Sequence, residues 1–279
     1  MVEYLKRLSS LKKLCKEKKF DSYLLSTMDE YLNEYAPVNK QRLKWLTGFS
    51  GSNGLLLLFN DSFIFFTDGR YTLQAISELP SSIKIYDTSK YTIFDFFNDN
   101  QSKKTKLCVD SKIHSISFIK KLIEVTQKKE IKIHFNAGIL IDHIYRFNSI
   151  QPSKHDFLLS NKYTGCSAKK KINLIRNKIK NLYCYIITSP ESVSWLLNLR
   201  GYDLDFTPVV MSRMIFFNPK KIVLYIDKNK LTKKLNIFFN NLGISISSEE
   251  QIHKDLKKIE KNKKILIDKD SPYYFYHEI

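Results

Sequence analysis

The sequence predicts an α/β protein built from two tandem copies of one domain. Three observations carry that reading. The pattern Trp-Leu-x-x-apolar-x-Gly occurs twice, at Trp45 to Gly51 and at Trp195 to Gly201. Upstream of each tryptophan lie a helical stretch and a short apolar run. Downstream of each glycine lie two further apolar runs, the second ending in an Asp. A fixed order of unlike elements, repeated once, points to duplication.

The elements follow in chain order. In the first copy Leu5, Leu8, Leu11 and Cys15 share the three/four spacing of an amphipathic helix; in the second Ile172, Ile175, Ile179 and Leu182 do the same. The runs Tyr23-Leu24-Leu25 and Tyr185-Ile186-Ile187 are rich in strand formers and are each followed by Ser or Thr. Ser189-Pro190-Glu191 starts a helix: Ser caps, Pro suits the first helical position, and Glu complements the positive helix end. That helix is expected to carry Val193, Trp195, Leu196 and Leu199. Two strands then follow in each copy. The first copy has Gly54 to Phe59, a turn at Asn60-Asp61, and Phe63 to Phe66. The second has Val209 to Phe217, a turn at Asn218-Pro219, and Ile222 to Ile226. Apolar runs joined by short Asn/Asp/Pro turns are hairpins. Leu107-Cys108-Val109-Asp110 answers Leu266-Ile267-Asp268. The first copy closes with a helix (116–125), a strand (131–133) and a helix (139–147). The second reaches Ile279 within the counterpart of its last helix, so it is expected to be cut short. The polar, Pro-containing run 148–153 reads as a linker, giving domains 1–150 and 151–279.

At 279 residues the chain has room for two ordinary domains with cores of their own, and 43% hydrophobic content supports a globular fold. The lysine-rich amphipathic start lacks the apolar stretch of a signal peptide, and no run approaches membrane-spanning length, so no membrane association is expected. Cys15, Cys108 and Cys184 sit in apolar patterns, and no cysteine pair has metal spacing. Buried reduced thiols and a cytoplasmic location follow as expectations. The net charge of +18 raises the possibility of nucleic-acid binding. Arginine, the bidentate reader of phosphate and guanine, is scarce, with seven residues. Alanine is confined to Ala36, Ala75, Ala137 and Ala168, whereas the abundant Lys, Asn, Ile, Phe and Tyr have AT-rich codons. Base composition and solvated surface explain the lysines better, and no nucleic-acid partner is expected.

Two strings carry charge in defined settings. In Phe66-Thr67-Asp68-Gly69-Arg70-Tyr71 a strand ends, a tight turn follows, and a helix begins. Asp68 can cap that helix, Gly69 can take a positive φ, and Arg70 then stands at a strand's carboxyl end, where open α/β sheets place ligands. The competing reading is that Asp68 and Arg70 merely fix a turn or pair across an interface. In Asn198-Leu199-Arg200-Gly201-Tyr202-Asp203, Arg200 and Asp203 form either a structural ion pair or an Arg aimed at a neighbouring site. The glycine-rich run Gly48 to Gly54 lacks the Lys-Ser/Thr of a phosphate loop and precedes a strand, so close backbone packing explains it better. The histidines lie in no metal spacing, no nucleophile motif occurs, and Asp29-Glu30 and Glu249-Glu250 read as helix-start carboxylates.

The strings Trp45 to Gly54 and Thr67 to Ala75 resemble the first domain of aminopeptidase P (Xaa-Pro aminopeptidase), and Ser194 to Gly201, Asp203 and Pro208-Val209 resemble its second. The resemblance covers essentially the whole chain. It implies two creatinase-type amino-terminal domains, each a ribonuclease H-like mixed sheet flanked by helices. It implies a homodimer whose amino-terminal domains wall the active-site entrance, and peptides with proline second as substrates. Chemistry in that family belongs to a third, pita-bread domain holding two metal ions, usually manganese, on two Asp, one His and two Glu. That domain is not in this sequence, so no catalytic or metal residue is assigned here. The chain by itself is expected to be inactive. It would work with a separately encoded catalytic domain, stand alone as a protein- or peptide-binding module, or be the relic of a decayed gene. Arg70 and Arg200 are the candidates to reach a peptide or a neighbouring subunit, with Asp68 and Asp203 as their supports.

Overall fold

A computed structural model describes residues 2–100, 104–136, 138–147, 154–218, 220–277 and 279. The chain divides into two compact units, Met1–Ser149 and Ile150–Ile279. The expected linker at 148–153 and part of the Asn218-Pro219 turn lie outside the described residues.

Unit 1 runs α1 (Val2–Glu17), β1 (Ser22–Ser26), α2 (Arg42–Thr47), β2 (Leu55–Phe59), β3 (Ser62–Thr67), α3 (Thr72–Glu78), β4 (Lys84–Asp87), α4 (Ile93–Asp99), β5 (Thr105–Asp110), α5 (Ile116–Thr126) and β6 (Ile131–Asn136). Its sheet has the order β4-β3-β2-β1-β5-β6. The three central strands are antiparallel neighbours, and β4, β5 and β6 each pair in parallel. Unit 2 contains β7 (Phe157–Leu158), α6 (Asn161–Thr164), α7 (Ala168–Ile179), β8 (Cys184–Ile187), α8 (Pro190–Leu197), β9 (Leu199–Arg200), β10 (Ser212–Phe217), β11 (Lys221–Ile226), α9 (Lys233–Asn241), β12 (Ile244–Ser247), α10 (Gln251–Leu256), β13 (Ile265–Ile267) and α11 (Tyr273–His277). Its sheet order, β12-β11-β10-β8-β13, repeats the first five positions of unit 1 with the same parallel and antiparallel pairings. Each unit is thus a mixed sheet flanked by helices, the architecture expected from the sequence.

The sheets are held by apolar residues that face helices on both sides. Strand β1 is buried throughout, and Leu8, Leu11, Leu14 and Cys15 of α1 pack on the same core as Tyr23, Leu25, Leu56, Leu58 and Phe65. In unit 2 Ile172 and Ile179 of α7 join Ile187, Met214, Phe216 and Leu224. Burial of such side chains is the main stabilising term, at roughly 1.5–3 kcal/mol for each large one. The Asn60-Asp61 turn has φ of 46° and 66° at its two central residues, the left-handed pair that a two-residue hairpin loop requires. Cys15, Cys108 and Cys184 are buried free cysteines, and burial pushes the thiols of Cys15 and Cys184 up to about 12.

Several expectations need correction. Leu5 is exposed on α1, and Leu182 lies beyond the end of α7. Residues 139–147 form one 3-10 turn, Leu140–His143, in place of a helix. The Leu140 amide donates to Asp110 and the Asp142 side chain is drawn onto Arg42, so the segment is held by tertiary bonds. Val209 and Val210 are buried but precede β10; the Val210 amide goes to the Ser194 hydroxyl instead of a ladder. Leu199 starts β9, because α8 has already ended at left-handed Asn198.

Candidate functional site

In unit 1 the two strings that the sequence presents separately meet at one place. Strands β1 and β3 both run antiparallel to β2, so their carboxyl ends lie on the same side of the sheet. The glycine-rich loop crosses those ends. Thr27, just after β1, donates its hydroxyl to the Ser52 carbonyl at 2.9 Å, and Thr67, at the end of β3, donates to the Asn53 carbonyl at 2.6 Å. Asn53 Nδ2 donates to Asp68 Oδ2 at 2.7 Å, and the hydroxyls of Ser52 and Tyr71 lie 2.8 Å apart. Beside them opens a cleft of about 210 Å³ whose mixed walls include Glu34, Lys44, Ser52 and Tyr71 as well as Leu43 and Phe49.

Arg70 is fixed at the edge of this assembly. Its Nε and Nη2 donate to the two oxygens of Asp68 at 3.0 and 2.9 Å, and its amide donates to Asp68 Oδ1 at 3.0 Å. The guanidinium carbon lies 5.1 Å from the Tyr71 ring centre. The Arg70 fork, then Asn53, hold the Asp68 carboxyl well below the usual carboxylate range, and Asp68 in turn pushes the Arg70 guanidinium up. Asp68 therefore closes a turn on Arg70 and does not cap α3, whose N-cap residue is Tyr71, without a side-chain cap bond. Gly69 is absent from the positive-φ residues, so its expected left-handed conformation is not adopted. The glycines of the loop serve packing. A Cβ at Gly51 would meet the Phe49 ring at 2.4 Å and one at Gly54 the Phe65 ring at 2.5 Å.

The twin tryptophans belong to a different device. Arg7 on α1 donates to the Trp45 carbonyl, with its guanidinium carbon 4.6 Å from the Trp45 ring centre. Lys171 on α7 donates to the Trp195 carbonyl, with its ammonium 4.1 Å from the Trp195 ring centre. Three residues after each tryptophan the backbone turns left-handed, at Gly48 (φ 88°) and Asn198 (φ 55°). In both copies a cation from the long helix before the first sheet strand thus neutralises the carbonyl end of the helix bearing the tryptophan. Trp195, expected among the apolar residues of α8, is largely exposed because its ring face covers the Lys171 ammonium.

In unit 2 Arg200 and Asp203 do not pair. Arg200 Nη1 donates to the carbonyls of Ser194 at 3.0 Å and Leu199 at 2.8 Å. Asp203 accepts the Met211 amide at 2.7 Å and is paired with Lys230. The structure brings Arg70 and Asp68 together and assigns Arg200 and Asp203 separate partners.

Three groups escaped sequence reasoning. Arg42, buried, forks onto Asp142 (Nε–Oδ1 2.7 Å) and Glu30 (Nη2–Oε1 2.8 Å), and the Arg42 and Lys40 bonds outweigh burial and hold Glu30 down at about 2. Asp29 and Glu30 are therefore loop ligands, with Asp29 accepting the amides of Tyr31 and Asn33, and not helix-start residues. Asp110 is pushed up to about 6 by burial while it accepts from Tyr23, Asn136 and the Leu140 amide. Asp156 is buried beside β7. No local pattern marks these residues, since each draws its meaning from partners far away in sequence. Among the described residues no group of three or more His, Cys, Asp or Glu side chains could hold a metal ion, so these residues do not fit a dinuclear metal centre.

A family model described as the Creatinase/Prolidase N-terminal domain matches residues 7–134, and a second of the same description matches residues 149–279. The chain belongs to the creatinase/prolidase N-terminal domain family and carries two such domains in tandem. It is similar to Xaa-Pro aminopeptidase 1 of Dictyostelium discoideum, with 31% identity over 286 residues, covering 98% of this chain and 45% of the relative. It is also similar to a probable Xaa-Pro aminopeptidase P of Coprinopsis cinerea, with 26% identity over 96% of this chain and 44% of the relative. Among solved structures, an X-prolyl aminopeptidase from Caenorhabditis elegans, described as a cytosolic enzyme with a di-nuclear active site, shares the fold with a TM-score of 0.92. That match has 22% identity and covers 99% of this chain and 48% of the other. The chain therefore spans less than half the length of the relatives it matches.

Proposed function

We propose that this chain is the amino-terminal, non-catalytic portion of an Xaa-Pro aminopeptidase, serving dimerisation and control of the active-site entrance. The observation that carries this reading is the continuous match along 98% of the chain to 45% of the Dictyostelium enzyme. In this reading the substrates are peptides with proline in second position, and the setting is cytoplasmic. Two manganese ions would be held by a catalytic domain outside these residues. Arg70, clamped by Asp68 beside the cleft, supplies a fixed cation for a peptide or a neighbouring subunit. Arg200 presents its charge from unit 2, while Asp203 supports the adjoining loop. Among the described residues no helix is long and apolar enough to cross a membrane. Sedimentation equilibrium of the purified chain at micromolar concentration tests the assembly role: twice the chain mass is expected, and a monomer throughout that range would overturn it.

A further inference from the structure

Unit 2 holds two neighbouring acidic residues, Asp156 and Asp203, of which the proposed function uses only Asp203. Strands β7 and β9 form a short ribbon in which Phe157 faces Arg200 and Leu158 faces Leu199. An aspartate stands at the same end of each strand: Asp156 immediately before β7, and Asp203 shortly after β9. Asp203 is engaged by the Met211 amide and by Lys230. Asp156 is 3% exposed, and neither of its oxygens has a hydrogen-bond partner among the described residues. Its amide donates to the Lys230 carbonyl at 3.3 Å, and its Oδ1 lies where a Cβ on Gly201 would come within 2.6 Å, so the carboxyl packs directly on the β9 side of the ribbon. The charged groups that face it are Asp203, Asp227 and Lys230. The single cation among these three is already paired with Asp203. A buried carboxylate with no donor and two acidic neighbours is disfavoured as an anion. Burial first, then Asp203, push the Asp156 carboxyl up to about 7.

We propose that Asp156 and Asp203 form a proton-operated latch at the end of the β7–β9 ribbon, closed when Asp156 is protonated and loosened when it is charged. In the closed state Asp156 keeps its proton, and Asp203 keeps both Lys230 and the Met211 amide. Loss of that proton to solvent puts two like charges against one lysine. The new anion then draws Lys230 from Asp203 or moves out to water, and either movement disturbs both sides of the ribbon. The ribbon carries the half-exposed ring pair Phe157 and Tyr202, 5.8 Å between centres. The loop that Asp203 ties back to Met211 carries Phe206, fully exposed and held at a φ of 61°, a strained conformation for a bulky residue. The latch thus sets the order of an aromatic surface by pH.

Hydrogen exchange of the whole chain at pH 6 and pH 8, corrected for intrinsic rates, tests this. The amides of Asp156, Leu159 and Met211 are expected to exchange about tenfold faster at pH 8, as a group one pH unit past its midpoint is about nine-tenths charged, while amides of β10 and β11 stay unchanged. The isosteric D156N variant should keep the slow, low-pH pattern at both values. Equal protection of wild type at the two pH values would overturn the latch, as would a wild-type pH response in D156N.

Discussion

Asp110 illustrates how a single buried side chain ties several elements together and leaves a titration signature. It lies at the end of β5, accepts from Tyr23 on β1 and Asn136 on β6, and receives the amide of Leu140 from the turn beyond β6. Burial raises its carboxyl from the ordinary 3.8 to about 6. A carboxyl raised on folding favours the native state most when both states are protonated. Its contribution is complete below about pH 4 and is lost as the pH rises through 6, and amounts to about 3 kcal/mol at most. Glu30, held down at about 2 by Arg42 and Lys40, has the opposite sign: its contribution is present above the ordinary value of 4.5 and fades as the pH falls towards 2. Thermal unfolding of wild type between pH 4 and pH 6 should therefore show a falling component that Asp110→Asn removes. An unchanged pH profile in that variant would show that Asp110 stays charged throughout. Asp268, the counterpart of Asp110 in the repeated pattern, is exposed, and its side chain accepts the nearby Asp270 amide, so the two copies share the residue without sharing its environment.

At the scale of elements, the duplication works as an internal control. Features present in both copies are structural: the basic residue on the long helix before the sheet, the tryptophan it covers, the left-handed end of the tryptophan's helix, and the Asp after the third central strand. Asp68 and Asp227 both turn the chain by accepting the amide two residues on, yet Arg70 in that turn is matched by Asn229 in the other. That contrast is what singles out Arg70. The shared clamp has a measurable consequence. Lys171→Met leaves the Trp195 carbonyl and Asn198 Oδ1 without the Lys171 ammonium and should destabilise unit 2 by about 2–3 kcal/mol, given the cost of stripping buried acceptors. Each unit has one tryptophan, so urea unfolding of a Trp45→Phe background reads unit 2 through Trp195. A change below about 0.5 kcal/mol, the range of surface substitutions, would mean that Lys171 is not a structural cap. Much at this scale was legible in the sequence. Apolar periodicity located α1, α7, the central strands and both hairpins, because local pattern and tertiary burial agree there. The segment 139–147 was misread because its bonds to Asp110 and Arg42 override its helical spacing, and Trp195 was misread because it packs on an ammonium in place of a core.

For the whole molecule, the repeated motif and the order of unlike strings were enough to place the chain in its family, since both report the topology that each sheet then displays. The candidate site was legible only in part. Asp68 and Arg70 could be seen as a pair, but their union with the glycine-rich loop depends on β1 and β3 ending side by side, and no spacing in the sequence encodes that. Arg200 and Asp203, three residues apart, read in sequence either as an ion pair or as an Arg aimed at a neighbouring site; they do not pair, since Lys230 holds Asp203. Under the proposed function, these two domains support an Xaa-Pro aminopeptidase without performing its chemistry. The most direct test is an assay of the purified chain on Xaa-Pro peptides with added manganese, with contaminating peptidases removed. No release of the amino-terminal residue is expected; sustained hydrolysis that co-purifies with the chain would overturn the proposed function.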